Sequence, residues 1–247
     1  MRKYYYFIVL LVIIMLVGCG KPGKVLKIYC GNTMRPAMEI LAKSYEEKTG
    51  VKAEFSFGDS SEIFAQVMLS KKGDLFIVHE PYMEEFAKKG LIAEYKDVAF
   101  LQPVLVVAVK NTKKITGLAD LAKKGMRLGW GEPEFALAGK LTEEYLKKNK
   151  KYDSLSKNLK VKTRSSSELA NAIKLGSLDA AFIWNATAKQ FNGTVEVVKL
   201  KDEILSARVS LGVLKSSTNS KTAQDFLVFS ASDECKTAFT SCGYKVK

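Results

Sequence analysis

Four short polar segments, each between an apolar run and a helix-like pattern, carry the residue types that bind anions. They are Gly31-Asn32-Thr33, Gly58-Asp59-Ser60, Gly131-Glu132-Pro133 and Ser165-Ser166-Ser167. Each is a typical start of a helix, and capping alone explains any one of them. A helix N-terminus also presents unpaired N–H groups and a partial positive charge. If all four face one cleft, they would form an anion site without arginine or a metal ion.

Such a site offers donors only, which limits the anions that suit it. A fully deprotonated tetrahedral oxyanion accepts hydrogen bonds on every oxygen, whereas the O–H of a protonated oxyanion would find no acceptor.

Residues that could catalyse a reaction are scarce in this sequence. The lone His79 has no nucleophile motif beside it, and an exported enzyme acting on phosphoryl or sulfuryl esters would have only Thr33, Ser60 or Ser61 without a paired base. We predict a binding protein that is not an enzyme and has no cofactor.

Alternating strand and helix patterns must position these segments. In the first unit, strand patterns at 25–29, 51–57 and 75–78 alternate with helical patterns at 34–45, 63–69 and 82–89. After an apolar run at 101–109 the alternation restarts, with strands at 127–130, 161–164 and 180–184 and helices at 138–148 and 168–175. A late strand at 207–214 and helices at 222–229 and 235–239 could complete either unit. The pattern predicts two α/β units with largely parallel sheets.

Composition excludes several classes of protein. The 247 residues include 39 Lys and Arg against 26 Asp and Glu, a formal net charge of +13. These charges are dispersed, often as lysine pairs at the ends of apolar segments, which is typical of a solvated surface rather than of a nucleic-acid site. One His and four Cys without a C-x-x-C pair leave no structural zinc site. We therefore predict no metal site and no nucleic-acid partner.

The N-terminus carries an export pattern. Arg2 and Lys3 precede an apolar run at 4–17, which is too short to span a bilayer as a helix. The run ends in Leu16-Val17-Gly18-Cys19, which resembles a bacterial lipobox. The resemblance implies cleavage of a signal peptide at 1–18 and acylation of Cys19, which would hold the protein on the outer face of the cell membrane or in the periplasm. An uncleaved signal anchor is the alternative.

Export gives the other cysteines a second interpretation. A disulfide can persist outside the cytosol, and Cys235 and Cys242 are seven residues apart. One continuous helix would hold their Cα atoms about 10 Å apart, beyond the reach of a disulfide. A bridge would therefore need the helix to end between them, and Gly243 makes such an ending feasible. Cys30 lies in a strand pattern, where a buried free thiol is expected.

Five segments follow one another at spacings that fit a known family. They are residues 28–38, 57–61, 73–77, 131–134 and 179–184. With them, the chain from about Lys24 to Lys247, including the closing Gly243-Tyr244, resembles the molybdate- and tungstate-binding proteins of ABC importers. The resemblance implies a two-lobed type II periplasmic-binding-protein fold in which two crossing strands act as a hinge and the ligand lies between the lobes. It implies lobe 1 at 25–102 plus 206–247, lobe 2 at 103–205 and a lipidated tether at 19–24.

The same resemblance implies the ligand-binding residues. The two hydroxyl residues of the first lobe fall on Thr33 and Ser60, and the two backbone N–H groups of the second lobe fall on Ala138 and Leu169. The family's tyrosine hydroxyl falls on Trp184, whose indole keeps a donor but moves it. The implied partners are a small oxyanion, an importer permease and the membrane through Cys19, and we expect a monomer.

Two nearby charges leave the choice of ligand open. Arg35 could bring a positive charge near the oxyanion or lie on the surface. Asp59 could accept a hydrogen bond from a protonated ligand such as phosphate, although it is also a good helix N-cap. Molybdate and tungstate are the ligands that the resemblance implies. Sulfate, chromate, phosphate and organic acids remain alternatives.

Overall fold

The computed structural model describes residues 25–247, so the predicted signal peptide, the tether and Cys19 lie outside the described residues. The described chain contains ten strands: β1 Val25–Gly31, β2 Lys52–Gly58, β3 Leu75–His79, β4 Ile92–Leu101, β5 Pro103–Ala108, β6 Leu128–Gly131, β7 Leu159–Thr163, β8 Ala180–Trp184, β9 Val195–Val198 and β10 Ala207–Leu214. Its α-helices are α1 Arg35–Thr49, α2 Ser60–Ser70, α3 Tyr82–Lys88, α4 Leu118–Leu121, α5 Leu137–Lys148, α6 Tyr152–Ser156, α7 Ser166–Lys174, α8 Asn185–Gln190, α9 Ser220–Phe229 and α10 Asp233–Ser241. A 3₁₀ turn, Asn32–Met34, precedes α1.

The strands form two sheets of the same design. The first has the order β2-β1-β3-β10-β4 and the second the order β7-β6-β8-β5-β9. In each sheet the first three strands are parallel, and the fourth pairs antiparallel with both neighbours. Four of the five strands in each sheet therefore point the same way. This confirms the predicted fold: two lobes, each built on a mostly parallel sheet.

The chain crosses between the sheets twice. Only Gln102 separates β4 of the first sheet from β5 of the second, and residues 199–206 lead from β9 back to β10. The Gln102 side chain is 5% exposed and donates to the Ile204 carbonyl at 2.5 Å. The two crossings are therefore tied to each other by a buried hydrogen bond.

Helices cover both faces of each sheet. In the first lobe α1, α9 and α10 bury one face and α2 and α3 the other; in the second lobe α4, α5 and α6 lie opposite α7 and α8. The central strands β3 and β8 are nearly continuous apolar runs, as expected for strands buried on both faces. These two strands end at His79 and Trp184, so the core of each lobe determines where those two side chains lie.

Most predicted elements are found within a few residues of their expected bounds. The helix predicted at 34–45 extends to Thr49 and ends at Gly50, which has φ 71° and closes the helix in the left-handed conformation. β4 and β9 were not predicted, because neither has a clear two-residue apolar alternation and both lie at sheet edges. The late strand and helices belong to the first lobe, where β10 fills the position beside β3.

The cysteines of the described chain are unpaired. Helix α10 continues through Ser241, so Cys235 and Cys242 lie on one helical segment and its cap, and both are free thiols. Cys30 is a buried free thiol, as the sequence indicated. Among residues 25–247, none of the helices has the length and apolar character that a membrane span requires.

Candidate functional site

The first two polar segments lie side by side at one edge of the first sheet. Strands β1 and β2 are paired in parallel up to Gly31 and Gly58, so the residues that follow both strands emerge together. A β-carbon on Gly31 would lie 3.3 Å from the Ser60 Oγ and 2.5 Å from the Met34 side chain. Glycine at position 31 therefore lets the turn that carries Thr33 approach the start of α2.

The second lobe repeats this arrangement with a tighter contact. Gly131 at the end of β6 is paired with Thr163 at the end of β7, and the Glu132 N–H donates to the Thr163 carbonyl at 2.8 Å. A β-carbon on Gly139 would lie 1.9 Å from the carbonyl oxygen of Gly131. Only a glycine fits there, so the first turn of α5, with Ala138, packs directly on the end of β6.

A cleft of about 960 Å³ lies between the two lobes at these strand ends. Thr33 and Ser60 line it from the first lobe, and Ala138 and Trp184 line it from the second. Four of the five predicted ligand-binding residues therefore share one cavity. Their assignment as ligand contacts stays a prediction.

Leu169, the fifth predicted residue, is not among the residues that line this cleft, and the predicted contact through its backbone N–H stays a prediction. Helix α7 begins at Ser166, two residues earlier than the sequence pattern indicated, so Leu169 is its fourth residue. Its side chain is 1% exposed and packs with Ala170 and Ile173 in the core of the second lobe. This helix instead faces the cleft with its serine run: Ser165, Ser166 and Ser167.

Two nearly buried side chains of the second lobe have polar groups available in the cleft. Trp184 is 5% exposed and Thr187 is 2% exposed, and both line the cavity. Within the described chain, neither the Trp184 indole N–H nor the Thr187 hydroxyl has a protein hydrogen-bond partner. The indole of Trp130, by contrast, donates to Glu143 at 3.1 Å. The Glu84 Oε2 is the one fully buried side-chain polar atom without a partner in the described chain, so the Trp184 and Thr187 donors are open to a ligand or an ordered water in the cleft.

Backbone N–H groups at two helix starts supplement these side chains. Ser60 is the first residue of α2 after the N-cap Asp59, and Ala138 is the second residue of α5 after the N-cap Ala136. The first N–H groups of a helix have no intrahelical acceptor and lie at the positive end of its dipole. The cleft therefore receives uncharged donors from both lobes.

The two charges left open by the sequence have defined partners. Arg35 pairs with Glu39 at 2.9 Å and stacks on the Phe57 ring at 4.4 Å, and it does not line the cleft. Asp59 does line the cleft, but it begins α2: its N–H donates to Glu62 at 3.1 Å and its Oδ1 accepts from Asn32 at 3.2 Å. Arg35 therefore brings no charge to the site, and Asp59 has a structural role.

A group of charged residues that the sequence did not predict also lines the cleft. Arg208 pairs with Glu80 at 3.0 Å and with Glu84, whose other oxygen is buried without a partner. On the opposite wall, Arg164 stacks on the Phe135 ring at 4.3 Å. These residues come from separate parts of the chain, and no spacing in the sequence connects them. Thr187 was also missed, although its position one turn after Trp184 is a signal that the sequence offers.

His79, which the sequence suggested was an ordinary strand-end residue, lines the cleft as well. Its ring lies 5.9 Å from the Trp184 ring across the lobe boundary. Burial lowers the pKa of the His79 imidazole below its usual value, and the hydrogen bond to the Glu80 carbonyl and the Glu80 charge oppose that effect only in part. The imidazole is therefore neutral at neutral pH in the ligand-free cleft.

Comparison with known proteins defines the class to which this fold and cleft belong. The family described as bacterial extracellular solute-binding proteins matches residues 26–245. The chain belongs to this family.

Two relatives show how far the similarity extends. A candidate binding protein of Haemophilus influenzae is 26% identical over 89% of this chain and 90% of its own length. A candidate ABC transporter substrate-binding lipoprotein of Bacillus subtilis, YvgL, is 24% identical over 89% of this chain and 85% of its own length. Both are named as binding components, and neither name describes an enzyme.

Solved structures share the fold. A candidate molybdenum ABC transporter's substrate-binding domain from Clostridium difficile has a TM-score of 0.79 at 24% identity, covering 91% of this chain and 100% of that one. The sulfate-binding protein SubI of Mycobacterium tuberculosis has a TM-score of 0.77 at 19% identity, covering 90% and 87%. At these identities the likeness establishes the two-lobed architecture.

Proposed function

We propose that this protein captures a fully deprotonated tetrahedral oxyanion, molybdate or tungstate, in the cleft between its lobes and delivers it to the permease of an ABC importer. The ligand would be held by the hydroxyls of Thr33 and Ser60, N–H groups at Ser60 and Ala138, the serine run that begins α7, and the donors of Trp184 and Thr187. The protein would act as a monomer without a cofactor. It would not be an enzyme.

One observation carries this proposal. Within residues 25–247, donors without protein partners meet in one cavity from two lobes, and two of them belong to residues that are at least 95% buried. A ligand bound by both lobes favours the closed arrangement, because only that arrangement supplies all the donors at once. Arg35, the cation nearest in sequence to Thr33, is occupied by Glu39, which supports binding by neutral dipoles.

The location of the protein is part of the proposal. A signal peptide at 1–18, a diacylated Cys19 and a tether at 19–24 would hold the two lobes, 25–102 plus 206–247 and 103–205, at the outer membrane surface or in the periplasm. A single acyl chain binds membranes only marginally, so a multiply acylated cysteine would give stable attachment. The name of the B. subtilis relative, which includes the word lipoprotein, supports this location.

A panel of oxyanions tests the choice of ligand. Molybdate and tungstate should raise the melting temperature of residues 25–247 strongly, because ligand at 1,000 times its Kd adds about 4 kcal/mol to the free energy of unfolding. Sulfate, chromate and phosphate should give smaller shifts. Equal shifts with phosphate, or a response to organic acids alone, would contradict the proposal.

A matched pair of serine variants tests the site. Ser60→Ala should weaken molybdate binding about tenfold or more, because hydrogen bonds to charged groups contribute about 1.5–3 kcal/mol. Ser70→Ala changes the last residue of the same helix, where the hydroxyl contacts Tyr29 at 3.1 Å outside the cleft. It should leave the Kd unchanged. If both variants keep the full affinity in calorimetry, Ser60 does not bind the ligand.

A further inference from the structure

His79 is the single histidine of the 247 residues, and the structure fixes its tautomer. The ring Nδ1 lies 2.7 Å from the Glu80 carbonyl oxygen, which can only accept a hydrogen bond. Nδ1 must therefore carry a proton. In the neutral ring the lone pair is then on Nε2, which has no protein partner within the described chain.

The surroundings of the ring place it beside the predicted ligand. Trp184 and Tyr82 lie 5.9 Å from it, centroid to centroid, and both line the cleft. On β10, Arg208 holds the carboxylates of Glu80 and Glu84 in ion pairs. Asp97, on β4, lies 3.9 Å from Arg208. Three carboxylates thus face one guanidinium beside His79, and the Glu84 Oε2 has no protein partner within the described chain. A doubly charged anion in the cleft would add to the negative charge that the imidazole meets.

We propose that His79 is a further ligand-binding residue, which takes up one proton from solvent when a doubly charged oxyanion enters the cleft and then donates an Nε2–H hydrogen bond to it. This inference rests on the proposed function. It adds a titratable contact to a site otherwise made of neutral donors.

The physical basis is a reversal of the local electrostatics. In the ligand-free cleft, burial lowers the pKa of His79 and keeps the ring neutral. A dianion nearby favours the charged form of the ring, because an opposite charge within about 4–6 Å stabilises it. Its protonated Nε2 then becomes a donor where it had been an acceptor. Ligand binding and proton uptake are therefore linked.

The same residue would distinguish two kinds of oxyanion. A tetraoxyanion without hydrogen, such as molybdate, gains a donor only when the imidazole is protonated. Monohydrogen phosphate could instead donate its own O–H to the bare Nε2, with no proton taken from solvent. The proton count on binding thus reports which kind of ligand the cleft accepts.

Because there is one histidine, its NMR signal is unambiguous. In protein labelled with ¹³C-histidine, the Cε1–Hε1 signal is followed from pH 5 to 8.5 with and without saturating molybdate. We expect the titration midpoint to rise by about one pH unit on binding. Molybdate binding, verified by calorimetry on the same sample, with an unmoved midpoint would overturn the inference.

Calorimetry gives a second test. In two buffers of different ionisation enthalpy near pH 6.5, the observed binding enthalpies should differ by the amount expected for uptake of a substantial fraction of one proton. The wild-type Kd for molybdate should be several-fold lower at pH 6 than at pH 8, because a rise of one pKa unit limits the total effect to about tenfold. In His79→Gln, which cannot titrate, this pH dependence should vanish. A variant with the wild-type pH dependence would overturn the inference.

The two proposals fail in different ways. If molybdate binds without proton uptake and without a change in the imidazole midpoint, the role of His79 is wrong and the oxyanion site stands. If none of the tetraoxyanions binds, both proposals are wrong. The NMR experiment uses the wild-type protein, so its result does not depend on whether His79→Gln folds.

Discussion

Both walls of the cleft contribute hydrogen-bond donors, but the two lobes hold these donors in different ways. The first lobe contributes hydroxyls on turns at the ends of β1 and β2, next to His79 and the ion pairs of Arg208. The second lobe contributes donors that are fixed by packing. Ala138 lies directly before Gly139, which packs closely on Gly131, and Trp184 and Thr187 are almost fully buried. The first wall presents half-exposed side chains and a titratable imidazole, whereas Ala138, Trp184 and Thr187 of the second wall are buried by packing.

This difference predicts where substitutions should matter most. Polar groups held by close packing are preorganised and lose little conformational entropy on binding. Groups on half-exposed turns must be ordered when the ligand enters. Changes in the second wall should therefore reduce binding more than comparable changes in the first.

The largest effect is expected for Gly139→Ala. A β-carbon there would meet the Gly131 carbonyl oxygen at 1.9 Å, so the start of α5 must move away from β6. Overpacking of this kind costs about 1–3 kcal/mol or more, and displacement of Ala138 should abolish oxyanion binding. Chemical denaturation and calorimetry measure the two consequences separately.

Gly117→Ala is the matched control for that substitution. Gly117 is also in the second lobe, has an extended backbone with φ 176°, and would meet no atom within 4 Å through a new β-carbon. Stability and affinity should both stay near wild type. Wild-type affinity in Gly139→Ala would show that the position of α5 is not critical to the site.

The next effect concerns the two tryptophans. Trp184→Phe removes an indole N–H that has no protein partner in the described chain and should weaken molybdate binding about 10- to 100-fold, the range of a hydrogen bond to a charged group. Trp130→Phe removes the donor to Glu143, outside the cleft. It should lower the free energy of unfolding and leave the Kd unchanged. The opposite pattern would place the ligand away from Trp184.

A smaller effect is expected for Thr187→Val. This substitution keeps the shape of the side chain and removes only the hydroxyl, which is 2% exposed in the wall of the cleft. We expect a Kd about tenfold higher, consistent with one lost hydrogen bond. Thr237→Val changes an exposed threonine of α10 whose hydroxyl donates to the Asp233 carbonyl, and it should not alter the Kd. Equal affinities for both variants would remove Thr187 from the site.

The architecture was predictable because periodicity and chain order carry it. Apolar runs such as 75–78 and 180–184 mark strands buried on both faces, and the polar segments after the strands mark one sheet edge. What the sequence could not supply was the exact start of a helix: α7 begins two residues earlier than the pattern indicated, so its first turn is the serine run that lines the cleft. The ion pairs of Arg208 with Glu80 and Glu84 are contacts across more than 120 positions, for which local patterns give no signal.

The smallest expected effect is a pH dependence of stability that comes from His79 in the first wall. Because burial lowers the pKa of His79 in the folded chain, the unfolded chain takes up a proton first as the pH falls below about 6.5. The ligand-free protein should therefore lose a little stability between pH 7 and pH 5.5, seen as a lower melting temperature in calorimetry. His79→Gln should lose less. An equal loss in both proteins would assign it to other groups.

A crystal structure of residues 25–247 grown with tungstate, located by its anomalous scattering, would show directly whether the cleft between the lobes binds an oxyanion. We expect one strong peak between the lobes, with oxygens within hydrogen-bond distance of Thr33 and Ser60 on one side and of Ala138 and Trp184 on the other. A peak bound by Arg208 or by surface lysines, with these four residues contacting only water, would contradict it.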